Sequence, residues 1–169
     1  MRGKLKSKSR SGCPVSIALD VFGDRWSLLI IRDIMVRGYR TFKQFRESGE
    51  GIATNILTDR LRKLEAVGII TAEVEEKDRR SVSYRLTEKG IDLAPVLLEL
   101  LIWGANHEET GAPCTLIADM EKNREQVLAE VRRRWQERDS APLIPKFDRS
   151  EPGDEKTSKR RNHGNKAHA

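Results

Sequence analysis

Asn55, Thr58, Asp59, Arg62 and Ala66 recur at helical spacing and fall on one side of segment 54–67, with Thr54 and Lys63 at its margins. Ile56, Leu57, Leu61, Leu64 and Val67 take the opposite side, which would anchor such a helix to a core. Apart from Arg62 and Lys63, the polar face is made of short side chains. Base-pair edges in a major groove demand such a face: slim enough to approach, with amide or guanidinium groups that can bond two atoms at once. The first N–H groups of the helix are also open to a phosphate. A solvated surface helix shows a polar outer face too, so the surrounding residues must decide.

Lys77, Arg79 and Arg80 lie in a charged stretch, 75–80, between two short apolar runs. A hairpin tip gives such residues no packing role. There they can reach phosphates or a minor groove, or remain solvated and paired with Glu75, Glu76 and Asp78. Arg40 and Lys43, with Arg37 and Arg46 nearby, add candidate phosphate contacts just upstream. Cys13 precedes Pro14 at the start of an apolar segment and follows a basic arm. A thiol at a helix N-terminus beside positive charge is biased toward thiolate and reacts readily, although a small interface residue with no chemistry has the same sequence. Other chemistry finds no support. The two cysteines and three histidines have no metal-ligand spacing. No nucleophile–base pair and no glycine-rich phosphate loop point to an enzyme, and no cofactor is implied.

The elements that would position these residues follow from the period of the apolar positions. Residues 14–22 read as a short, mostly buried helix with Pro14 in its first turn and Gly23 after it. Asp24 can cap a helix over 25–37, ended by Gly38. Thr41 and Gln44 have the spacing of a capping box, opening a short helix over 42–48 with Phe42 and Phe45 inward. After the turn at Gly49 and Gly51 comes the helix 54–67. Ile69, Ile70 and Val74 then read as one strand, and Val82, Tyr84 and Leu86 as a second. Thr87 caps a long helix, 88–108, in which Pro95 marks a kink or a late start. A further amphipathic helix is expected over 115–138. The fold class is mainly α with a small β-hairpin wing, a winged helix-turn-helix carrying additional C-terminal helices.

The chain has 169 residues, 34% of them charged, and a net charge of +6. That suits about one domain with an acidic partner, either nucleic acid or an anionic membrane surface. Residues 1–12 hold Arg2, Lys4, Lys6, Lys8 and Arg10 without an acid and read as a disordered basic arm. Residues 13–108 read as the domain that carries the candidate DNA contacts, and 139–169, rich in Pro, Lys, Arg, Ser and Gly, read as a disordered tail. There is no apolar leader and no run long enough to span a membrane. A reducing cytoplasm is the expected setting.

Several short motifs follow one another in order: Cys13-Pro14, Gly23-Asp-Arg-Trp26, Leu28-Leu-Ile-Ile-Arg-Asp33, Arg40-Thr-Phe42, Gly51-Ile52, Leu57-Thr-Asp-Arg-Leu61, Leu64-Glu65, Gly68-Ile-Ile70 and Tyr84-Arg-Leu-Thr-Glu-Lys-Gly90. Over about residues 13–104 they resemble the HxlR-type family of winged helix regulators. The resemblance implies a homodimer joined through its first and last helices, with helix 54–67 reading double-stranded DNA and the wings gripping its backbone. It also implies that Cys13 matches the Cys-Pro some members use to sense oxidants or electrophiles. Ala53 stands where the family usually has Ser, so the helix cap is expected to shift to Thr54. Trp26 is expected in the core, with Arg32–Asp33 and Arg60–Glu65 as ion pairs. The competing reading is a winged helix used as a protein-interaction module with nonspecific DNA affinity. The operator, the regulated genes and any small-molecule effector are not written in the sequence.

Overall fold

The computed structural model describes residues 12–75, 78–144 and 147, with backbone only at 75 and 78–80. The basic arm 1–11, Lys77 and most of the C-terminal tail therefore lie outside the described residues.

The chain begins with α1 (Pro14–Phe22) and α2 (Arg25–Met35). Asp24 separates them and caps α2 by accepting a hydrogen bond from the Ser27 amide at 2.9 Å. Ile30, Ile31 and Ile34 on α2 are almost fully buried and form the centre of the core. α3 (Phe42–Arg46) opens with the capping box: the Gln44 amide donates to Thr41 Oγ1 (3.3 Å) and the Thr41 amide donates to Gln44 Oε1 (2.9 Å). α4 (Thr54–Ala66) buries Leu57, Leu61 and Leu64 against α2.

β1 (Ile70–Glu75) and β2 (Asp78–Leu86) form an antiparallel hairpin, in register from Ile70–Leu86 to Val74–Val82 and irregular beyond Val74. A bridge from Thr41 to Ser83, and a 2.7 Å bond from the Tyr84 amide to the Arg40 carbonyl, tie the hairpin to the start of α3. The wing and the start of α3 are thus joined through backbone bonds that the apolar period of the sequence does not reveal.

The expected long helix over 88–108 is two: α5 (Glu88–Ile91) and α6 (Ala94–His107). Pro95 sits in the first turn of α6, where its missing N–H costs nothing. The expected helix over 115–138 is also two, α7 (Cys114–Lys122) and α8 (Arg124–Gln136). Asn123 stands at the break: its amide closes the last turn of α7 on the Asp119 carbonyl at 2.9 Å, but its own backbone, φ −116° and ψ 37°, leaves the helical region.

The expectation of disorder from residue 139 onward is corrected for 139–144, and the rest of that stretch apart from 147 lies outside the described residues. Arg138 adopts φ 56°, turning the chain back over the end of α2. The Leu143 amide donates to the Val36 carbonyl at 2.7 Å, and Ile144 is buried with Leu98, Ile102 and Met120. Ile144, with Leu143 and Phe147 packed against the same cluster, completes a second core. Gly38 makes the crossing feasible: it has φ 70°, and a Cβ there would lie 1.8 Å from the Ser140 carbonyl oxygen.

Candidate nucleic-acid interface

α3, the turn 47–53 and α4 form a helix-turn-helix. The turn is set from beneath by buried charge. Asp33, 3% exposed, takes Arg32 at 2.7 Å and Arg37 at 3.0 Å. Glu50 in the turn takes Arg32 at 2.9 Å, Arg25 at 3.6 Å and Arg37 at 3.9 Å. Burial pushes the Asp33 carboxyl up, against the pull of Arg32 and Arg37. Burial also opposes the charge of Glu50, but the Arg32 hydrogen bond and the three arginines outweigh it and hold its carboxyl below the usual range. The cluster fixes the angle between α2 and the start of α4.

On α4, Thr54, Asn55, Asp59, Arg62 and Ala66 are exposed, and Thr58 is half-buried with its hydroxyl donating to the Thr54 carbonyl at 2.9 Å. The helix cap is Ala53, not Thr54. Ala53 has no side-chain acceptor, so the first turn has no side-chain cap. Lys63 lies 3.9 Å from Asp24, half withdrawn from the face. Arg60 pairs with Asp24 and Asp59, each at 3.5 Å, rather than with Glu65. Arg32 does pair with Asp33, and Trp26 packs partly buried against the main core. Burial, then the nearby Glu65, raises the Tyr84 hydroxyl's pKa, with Arg62 opposing.

Lys43 is exposed on α3, and Arg46 is exposed beside Glu47 at 3.5 Å. Arg40 is not part of this surface. Its guanidinium turns inward, Nη1 donating to the carbonyls of Ile34 (2.7 Å) and Tyr39 (2.8 Å). Among the expected wing-tip contacts, Arg79 and Arg80 lie on β2 by backbone, and Lys77 is outside the described residues.

Cys13 is exposed and caps α1. Hydrogen bonds from the Ser16 and Val15 amides lower its thiol pKa. α1 exposes Val15, Ile17 and Leu19, and α6 exposes Val96, Leu100 and Trp103. Among the described residues no group of three or more His, Cys, Asp or Glu could hold a metal, and no helix is long and apolar enough to cross a membrane.

α4, locked into the core with α2 and α3 and followed by an antiparallel β-hairpin tied by backbone bonds to the start of α3, defines a winged helix-turn-helix protein. The HxlR-like helix-turn-helix family model matches residues 21–112, and the chain belongs to that family of transcriptional regulators. YybR, an HTH-type transcriptional regulator of Bacillus subtilis, is 37% identical over 101 residues, spanning 60% of this chain and 80% of YybR. The solved structure of PA1607 superposes with a TM-score of 0.55 at 42% identity, covering 60% of this chain and 69% of that one. The redox regulator HypR in its oxidised form gives 0.52 at 37% identity, covering 57% and 98%. α7, α8 and the returning segment lie beyond the family match.

Proposed function

We propose that the protein is a homodimeric, sequence-specific regulator that reads a two-fold symmetric site in duplex DNA, acting in the cytoplasm without catalysis. The observation that carries this is the exposed Asn55–Asp59–Arg62 face on a helix whose other side is locked into the core. Asn and Arg bond adenine and guanine edges bidentately, and Asp accepts from cytosine. The uncapped first turn, with Thr54 and Thr58, seats on phosphate. Lys43, Lys63 and the wing-tip Lys77, Arg79 and Arg80 supply further backbone contacts. The exposed apolar stripes of α1 and α6 cover each other across the dimer axis. Cys13, with its lowered pKa and exposed position, is the oxidant-sensing thiol, a reading supported by the likeness to the redox regulator HypR.

The test is selection of bound sequences from a random duplex pool, under reducing conditions at physiological salt. The expected outcome is a motif of two inverted half-sites, bound less tightly when oxidant is added and unchanged by oxidant in Cys13→Ser. Recovery of no motif, with binding that vanishes as salt rises, would make the fold a protein-interaction module attracted to DNA only by its charge.

A further inference from the structure

Between the wing and α8 lies a cavity of about 450 Å³, within the range of small-molecule sites. Its lining is divided. Trp135, Met35 and Val131 give one apolar wall, and the indole N–H of Trp135 donates to the Leu86 carbonyl at 2.8 Å, which fixes the ring. The other wall carries Arg40, Arg85, Arg134 and Arg138 against Glu73 and Asp139.

Most of these charges are committed. Glu73 lies 3.2 Å from Arg85 and 3.9 Å from Arg138. Arg134 is paired with Glu130 at 2.7 Å, and the Asp139 carboxylate accepts from the Ala141 amide at 2.8 Å. Arg40 differs. It has no ion-paired carboxylate among the described residues, its Nε is buried without a partner, and Nη2 reaches only the Asp139 carbonyl at 3.5 Å. Burial, and then the nearby charge of Arg85, disfavour its charged form, with Asp139 opposing. An arginine does not escape by losing its proton, so its buried charge lacks an anion.

We propose that this cavity is an effector site for a small organic carboxylate, its carboxylate held by Arg40 and Arg85 and its apolar body laid against Trp135. Arg85 and Glu73 stand on the wing strands, and the Arg40 carbonyl carries the bond that ties the wing to α3. An occupant therefore bears on the placement of the wing. The regulatory meaning rests on the DNA-reading proposal, whereas the binding itself does not.

Calorimetric titration of the full chain with benzoate and phenylacetate, and with benzamide as the uncharged match, tests it without DNA. The expected result is saturable binding of a carboxylate with Kd of about 1 mM or tighter, and benzamide weaker by about tenfold or more. Arg40→Gln should lose the binding while circular dichroism stays helical. If that variant does not fold, Arg85→Gln, altered at a half-exposed position, should weaken binding by about tenfold. Equal binding of benzoate and benzamide, no saturable binding of either carboxylate, or unchanged binding in the folded variants would each overturn the site. DNA selection on the same preparation stands or falls separately.

Discussion

At the residue scale, the two kinds of DNA contact make different predictions. On the proposed reading the exposed Arg62 meets a base edge and the exposed Lys43 a phosphate. Arg62→Ala should therefore cost about 1–3 kcal/mol at one position of the selected motif and relax the preference there. Lys43→Ala should weaken every sequence alike and reduce the salt slope of log K by about 1. Binding measured across a salt series, on the motif and on single-base variants, separates the two; equal loss on all sequences in Arg62→Ala would remove it from the reading face. The polar face of α4 was legible because helical period alone sorts its residues into inward and outward sets. Arg40 was not. Its neighbours Lys43 and Arg46 are exposed, and only the turn of the chain at Gly38 and the backbone carbonyls around it draw the guanidinium inward.

At the element scale, the capping residues Asp24, Thr41 and Thr87 and the glycines after helices placed most boundaries, because each satisfies or frees a particular backbone group. Two missed features are nonlocal, the Thr41–Ser83 bridge and the returning segment after α8, whereas the Asn123 break is local and lies in the backbone angles of one residue. Two predictions belong here. Gly38→Ala places a Cβ on the Ser140 carbonyl and forces a side chain into positive φ, so it should destabilise the fold by about 1–3 kcal/mol in denaturant melts; a change under about 0.5 kcal/mol would show that the segment does not cross there in solution. The Glu50 cluster predicts an acid dependence. The folded-state pKa of Glu50 is depressed, so its contribution is complete above the unfolded carboxylate pKa and is lost as pH falls through the folded value. Wild type should lose stability below the usual carboxylate range more steeply than Glu50→Gln, which already lacks the charge. Parallel curves would mean that Glu50 and its arginines are not paired in solution.

At the scale of the whole molecule, the surface opposes two demands. The outer face of α4 is polar and slim, yet Leu19 on α1 and Trp103 on α6 are each 57% exposed, and Val15 is 66% exposed. Water-facing apolar groups of that size suit an interface, and on the proposed two-fold dimer each stripe covers its counterpart. Two reading helices on such a dimer meet successive major grooves about 34 Å apart, one helical turn of DNA. Charge placed in the interface separates assembly from folding. Trp103→Glu puts a carboxylate where the dimer would bury it, but in the lone chain the residue already faces solvent. The mass by light scattering should fall to that of one chain, and the thermal melt should become independent of concentration. Affinity for the two-half-site motif should collapse toward that of a single half-site, because the second contact is no longer intramolecular. A dimer that survives Trp103→Glu, with DNA affinity intact, would place the subunit interface elsewhere and leave the α1 and α6 stripes for another partner.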